Sequence, residues 1–163
     1  MESNDWITVY NLHTQEINKN KRFIDICDCI IGDMLMGKVK FVNNKLEVFL
    51  NPKISELISE WKLMSLYLSQ FNREIIVYRG VNNLNIMTKI EQPIPFSTCI
   101  EYENALLWKN DNGFVMKIFV SNNINYTFID NKDEGYEVIL PSGYLIQRKN
   151  NNNFVEYDFF ENM

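Results

Sequence analysis

The sequence predicts an α+β fold, with a mostly helical half over residues 1–72 and a strand-rich half over residues 73–163. Three observations predict it. In the first half, apolar side chains recur at three- and four-residue spacing, the period of a helix with one buried face. From Arg73 onward the texture changes to short β-branched and aromatic runs stopped by Gly, Pro or Asn. Helices precede strands instead of alternating with them, which separates this pattern from a doubly wound βαβ arrangement. At 163 residues the chain has the length of one domain, and neither half is large enough to prefer independence.

Residues 4–19 are weakly patterned and are expected to form a short helix. Phe23, Ile26, Cys27, Ile30, Ile31 and Met34 keep helical spacing, with Asp25, Asp28 and Gly32 on the other face. Residues 38–50 are ambiguous. Val39 and Phe41, then Leu46 and Val48, flank Asn43-Asn44, which suits a short hairpin. A helix should start at Asn51-Pro52, since Asn caps well and Pro suits the first helical position. Its stripe is Ile54, Leu57, Ile58, Trp61, Met64 and Leu68, and it should end near Phe71-Asn72.

In the second half, residues 74–80 form a strand candidate that stops at Gly80. Residues 93–100 form another, with Pro93 and Pro95 at its edge or entrance. A short helix is expected over residues 101–109. Strands follow at residues 114–120, 126–129, 136–140, 143–148 and 154–160, with Pro141-Ser142-Gly143 as a turn.

Composition excludes several classes of function. Hydrophobic residues make up 46% and charged residues 23%, so the chain can build a core and is not disordered. A net charge of −5 and the absence of a basic stripe argue against a nucleic-acid grip. Cys27, Cys29 and Cys99 have no framework spacing, and Cys27 and Cys29 are too close to bridge easily. The opening residues carry no signal-like stretch, and Asp25, Asp28 and Asp33 break the longest apolar cluster. A reduced, cytosolic compartment is expected. Abundant Asn, Ile and Lys with almost no Ala suggest AT-rich coding, as in a virus, a protozoan or an AT-rich bacterium.

His13 is the single histidine, and it is expected at the surface instead of in a catalytic pair. One His and a Cys-x-Cys pair do not match zinc ligand spacings, so no metal is expected. Cys27, on an apolar helix face, is expected in the core. There is neither a Gly-x-x-x-x-Gly-Lys loop nor a Gly-x-Gly-x-x-Gly turn.

Three short segments remain. Val77-Tyr78-Arg79-Gly80 puts a guanidinium at the end of an apolar strand, where it could grip phosphate; most such arginines are structural or solvated. Pro95-Phe96-Ser97-Thr98-Cys99 puts two adjacent hydroxyls on an apolar strand, suited to orienting a carboxylate or a ribose hydroxyl, or else facing water. Residues 133–141 open an apolar strand with carboxylates, Glu137 among them, either to stabilise a cation or as a plain acidic turn.

Taken in order, these segments resemble the mono-ADP-ribosyltransferases of the arginine-serine-glutamate class. Tyr78-Arg79-Gly80 is similar to that family's aromatic-Arg-Gly strand. Phe96-Ser97-Thr98-Cys99 is similar to its Ser-Thr-Ser strand, with Cys99 replacing the last Ser. Glu137-Val138-Ile139-Leu140-Pro141 is similar to its glutamate strand ending in Leu-Pro. Two features depart from the pattern. Gly135 occupies the position two before the glutamate, where the family has an acidic or amide residue, with Glu134 one step further back. The stretch from Arg79 to Ser97 is also shorter than usual.

The resemblance implies two small packed antiparallel-type β-sheets forming a cleft for NAD, which serves as substrate. It implies that Glu137, Arg79 and Ser97 are catalytic, and that Tyr78, Arg79, Gly80, Ser97 and Thr98 contact NAD. Glu134 and Tyr136 would face the acceptor. The implied reaction transfers ADP-ribose to a target macromolecule, foremost a protein and less readily a nucleic acid, with no membrane involved. The implied place is the cytosol, of a host if the chain is viral or an effector. Three alternatives stay open. One is a catalytically inactive relative that uses the cleft for binding. Another is hydrolysis of NAD by water. The third is an interaction module whose aromatic tail, residues 154–160, is a partner strand instead of a final sheet strand.

Overall fold

The structure, a computed structural model, describes residues 5–29, 38–42, 45–49, 52–82, 86–109, 111–129, 135–150 and 154–162. Helix α1 spans Asp5–Lys19 and α2 spans Lys21–Cys29. Ile30, Ile31 and Met34, expected to extend α2, lie outside the described residues, as do Asn43-Asn44 and Asn51. The ambiguous segment is a hairpin: β1 (Lys38–Val42) pairs antiparallel with β2 (Lys45–Phe49). Helix α3 runs Pro52–Leu68, and a 3-10 turn over Ser69–Phe71 closes it.

The strand-rich half contains β3 (Ile75–Val81), β4 (Lys89–Gln92), β5 (Phe96–Cys99) and helix α4 (Tyr102–Trp108). These are followed by β6 (Phe114–Val120), β7 (Thr127–Phe128), β8 (Glu137–Leu140), β9 (Gly143–Asn150) and β10 (Val155–Glu161). Strand β4 had no apolar signal, because it is an edge strand that pairs with β9 alone. Strand β8 begins at Glu137 and not at Tyr136, because Gly135 and Tyr136 adopt φ +76° and +61° and cannot continue a strand.

The two expected sheets are joined. All eight strands form one sheet in the order β4-β9-β10-β6-β3-β5-β8-β7. It is mixed and not purely antiparallel, since β10 runs parallel to β6. The join is narrow: β3 and β5 pair only at Tyr78↔Cys99, whereas β3 and β6 pair along seven positions. The sheet therefore consists of a five-strand part and a three-strand part. Between them lies the main core, where Phe96, Val138 and Leu140 of the smaller part meet Val77, Met116, Ile118 and Tyr157 of the larger. A second core holds the helices. Trp61, Met64 and Leu68 of α3 pack with Ile17, Ile26 and Cys27 and against Ile139 of β8. The aromatic tail forms β10, paired on both sides by β9 and β6.

His13 is not at the surface. It is fully buried on the inner face of α1, in line with Val9, Tyr10 and Ile17. The backbone N–H of Phe128 donates to its Nδ1 at 3.0 Å. The Nε2–H then donates to Asn72 Oδ1 at 2.8 Å and to the Leu68 carbonyl at 3.2 Å. Asn72 passes the chain on, donating from Nδ2 to the Ile124 carbonyl at 2.8 Å. The ring thus ties α1, the end of α3 and β7 together. Burial holds its pKa down to about 4, against the hydrogen bonds it donates to Asn72 and Leu68, which favour the cation. A residue type that usually marks a surface is here a satisfied core connector.

Candidate active site

The narrow join between the two parts of the sheet is where the three sequence segments converge. Glu137 on β8 pairs with Cys99 on β5, which pairs with Tyr78 on β3, so three strands meet in one row. Arg79 follows Tyr78 at the point where β3 and β5 stop pairing. Its guanidinium crosses the gap, and Nη1 donates to the Ser97 carbonyl at 2.6 Å. It also lies 5.5 Å from the centre of the Phe96 ring, a cation–π contact. Burial lowers the Arg79 pKa from its ordinary value, yet a guanidinium keeps its charge at neutral pH.

Ser97 and Glu137 lie on the same face of neighbouring strands, in diagonal register, and the Ser97 Oγ donates to Glu137 Oε2. Ser97 thus serves two partners, the cation through its carbonyl and the anion through its hydroxyl. Glu137 is a buried carboxylate, 8% exposed, at the first position of its strand. A carboxylate fixed in this way can stabilise positive charge developing on a substrate, and a guanidinium tied to the same serine has the donors to bind an anionic group.

The other sequence-predicted residues have definite places. Tyr78 points to the opposite face from Arg79, and its ring meets Tyr102 of α4 edge-on at 5.7 Å. Gly80 is covered by α4: a Cβ there would lie 2.1 Å from the Ala105 carbonyl oxygen. Glycine at this position is what lets the helix rest on the strand. Thr98 is buried and donates from Oγ1 to the Val138 carbonyl at 2.8 Å, tying β5 to β8. The Tyr136 ring packs edge-on against Trp6 at 4.8 Å and Tyr10 at 5.1 Å. Glu134 lies outside the described residues. Cys99 donates to the Glu101 carbonyl at 3.3 Å; burial first, then the Glu101 and Glu137 carboxylates, push its thiol up to about 11. It is a neutral thiol and not a nucleophile.

No known protein-family profile matches the sequence, and no curated protein is similar to it. The three-dimensional arrangement, however, is similar to solved structures. The Vis toxin, an ADP-ribosyltransferase from Vibrio splendidus, superposes on 67% of this chain with a TM-score of 0.50 and 15% identity. The fold is ADP-ribosyltransferase-like. The ADP-ribosyltransferase HopU1 of Pseudomonas syringae pv. tomato is similar over 68% of the chain, with a TM-score of 0.49 and 15% identity. The C3larvin toxin, an ADP-ribosyltransferase from Paenibacillus larvae, covers 98% with a TM-score of 0.44 and 10% identity. The chain spans 58% of the Vis toxin and 54% of HopU1.

Within this ADP-ribosyltransferase-like fold, sequence reasoning missed Asn104. Its side chain on α4 fills the space in front of Gly135, and a Cβ on Gly135 would lie 2.3 Å from Asn104 Nδ2. The backbone of the β5–α4 junction holds the same turn, with the Ile100 N–H donating to the Gly135 carbonyl at 3.0 Å. The sequence offered a faint signal, since a glycine at this position leaves room that a neighbouring side chain can take up.

Proposed function

We propose that the chain transfers ADP-ribose from NAD to a nucleophile on a target macromolecule and releases nicotinamide. The observation that carries this reading is the Ser97–Glu137 contact, with Arg79 bound to the same serine. The fold is consistent with it, and structures among the similar proteins include one in complex with NAD and one with NADH.

Arg79 would hold the diphosphate or the adjoining ribose of NAD through its planar set of donors. Tyr78, Gly80 and Thr98 would shape the strands around that site. Ser97 would keep Glu137 in one rotamer and reach the nicotinamide-side ribose. Glu137 would accept a hydrogen bond from the ribose 2′-hydroxyl. The glycosidic C–N bond breaks with both its electrons going to nicotinamide, leaving oxocarbenium character on the ribose. Glu137 lowers the cost of that charge, as carboxylates do in glycoside hydrolysis. The acceptor nucleophile then bonds to the anomeric carbon and gives up its proton. Glu134 and Tyr136, which precede Glu137 in the sequence, would flank the acceptor. The place of action is the cytosol, a reading supported by the free thiols of Cys27, Cys29 and Cys99.

The test is nicotinamide release from NAD by the purified protein. Glu137→Gln should lower it at least about 100-fold, because it removes the charge-stabilising group, while leaving the melting temperature close to that of the wild type. An unchanged rate in Glu137→Gln overturns the assignment.

A further inference from the structure

Tyr136, the residue immediately before Glu137, has a left-handed backbone at φ +61°. For an aromatic side chain that conformation is disfavoured, and it persists only where the surroundings hold it. Two sets of contacts do so. On the main chain, the Ile100 N–H donates to the carbonyls of Gly135, at 3.0 Å, and of Tyr136, at 3.3 Å. On the side chain, the ring meets Trp6 at 4.8 Å and Tyr10 at 5.1 Å, both edge-on. Trp6 and Tyr10 are one turn apart on α1 and so share a face. Phe128 of β7 braces both, its ring centre 6.3 Å from that of Trp6 and 5.6 Å from that of Tyr10. Phe128 also pairs with Val138, the residue after Glu137. The circuit is closed: α1 holds the residue before the glutamate, and β7 holds the residue after it. Trp6 is half-buried, whereas Tyr10 and Phe128 are buried. Of these three rings, Trp6 is therefore the one whose exchange disturbs the core least.

We propose that Trp6 is a positioning residue for the reaction, acting through Tyr136 to keep the left-handed turn that fixes where the Glu137 carboxylate points. The proposal rests on the ADP-ribosyl transfer reading, in which Glu137 faces the charge that develops on the ribose. Ser97 restrains the carboxylate end of Glu137 through its hydroxyl. The Tyr136 turn restrains the backbone end. If Tyr136 left the positive-φ region, the chain would enter β8 in a different direction and carry the Glu137 side chain with it. A small displacement of such a group costs transition-state stabilisation steeply. Arg79, which would hold NAD, stands on β3 and is held by the Ser97 carbonyl and the Phe96 ring. Loss of the Trp6 ring should thus lower kcat and leave the KM for NAD nearly unchanged. A purely structural role would lower the melting temperature and leave both constants of the folded protein as they were.

The experiment is steady-state nicotinamide release from NAD by the whole chain, with water as the acceptor and melting temperatures measured alongside. Trp6→Leu should lower kcat at least about tenfold and keep the KM for NAD within about twofold of wild type. Trp6→Phe keeps a ring that can stand edge-on to Tyr136, so its kcat should stay within about threefold of wild type. In a Tyr136→Leu background, Trp6→Leu should cost no more than about a further twofold, because the ring through which it acts is already gone. Should Trp6→Leu not fold, Tyr136→Leu against Tyr136→Phe tests the same contact, with the same loss and the same recovery expected. An unchanged kcat in Trp6→Leu would overturn the proposal. So would a loss in KM alone, an equal loss in Trp6→Phe, or fully multiplied losses in the double variant. A wild type that releases no nicotinamide overturns the transfer reading and this proposal with it, whereas an active wild type matched by Trp6→Leu overturns this proposal alone.

Discussion

Gly135 and Asn104 occupy each other's space: no side chain can begin at residue 135 without meeting the Asn104 amide at 2.3 Å. The backbone enforces the same choice, since Gly135 sits at φ +76°. The absence of an acidic or amide residue two before Glu137 is therefore built into the packing of α4 against this turn. Tyr136 follows at φ +61°, a strained position for an aromatic residue. It is held there by the edge-on rings of Trp6 and Tyr10. The turn that delivers Glu137 is thus set by two helices.

Gly135→Ala should lower stability by about 1–3 kcal/mol, from the positive φ together with the clash. Part of this loss should return in the double variant with Asn104→Ala, which removes the clash but not the φ penalty. Urea denaturation of the two single variants and the double variant measures the coupling. Strict additivity would show that the two residues do not compete for space.

His13 predicts a pH dependence. Its folded pKa is held down to about 4, against 6.5 for a free imidazole, so the unfolded chain binds more protons between those values. Its stabilising contribution is complete above about pH 6.5 and is lost as pH falls through about 4. The loss approaches about 1.4 kcal/mol per pH unit in that window. Protonating Nδ1 would also break the bond from the Phe128 N–H. Denaturation midpoints at pH 7, 6 and 5 should fall in that order for wild type. His13→Gln should be less stable at pH 7 but show a flatter slope.

Gly80→Ala should destabilise the protein by about 2 kcal/mol or more, since the new methyl would overlap the Ala105 carbonyl and push α4 off β3. Protection of α4 amides in hydrogen exchange should drop before that of β6 or β10. Uniform loss across the sheet would show that the helix is not the element displaced.

Ser97→Ala and Arg79→Lys separate the two ends of the site. Ser97→Ala removes a hydrogen bond to a carboxylate, typically about 1.5–3 kcal/mol, and should lower kcat about 10–100-fold with little change in the KM for NAD. Arg79→Lys keeps the charge but loses the fork, and should raise the KM for NAD about tenfold with a smaller effect on kcat. Steady-state nicotinamide release gives both constants. Interchanged effects would reverse the roles assigned to the two residues.

Much of the fold was legible. The strands β3, β5, β6 and β9 follow β-branched and aromatic runs bounded by Gly, Pro or Asn, and α3 follows a clear apolar stripe. Helix α1 falls where residues 4–19 were expected to be helical, and its pattern is weak because His13 interrupts the stripe of Val9, Tyr10 and Ile17, and a histidine does not read as apolar. Only its three hydrogen bonds make it a core residue, and their partners lie 55, 59 and 115 positions away. Strand β4 was invisible because an edge strand need not bury either face continuously. The union of two expected sheets into one depends on a single pair, Tyr78↔Cys99, which leaves no mark on either local segment.

For the candidate site, residue identity and order were in the sequence: an arginine closing one strand, hydroxyls on a second, a glutamate opening a third. By itself the sequence determined the α+β class, the chemistry available and the missing side chain at Gly135, because periodicity, turn residues and functional groups are local properties. Tertiary structure alone decided that Ser97 links Arg79 to Glu137, that Gly80 serves α4, that Tyr136 is held by α1, and that Asn104 stands before Gly135. Those relationships join positions that are far apart in the chain, and packing brings them within contact distance only after the two parts of the sheet and the helices have closed on one another.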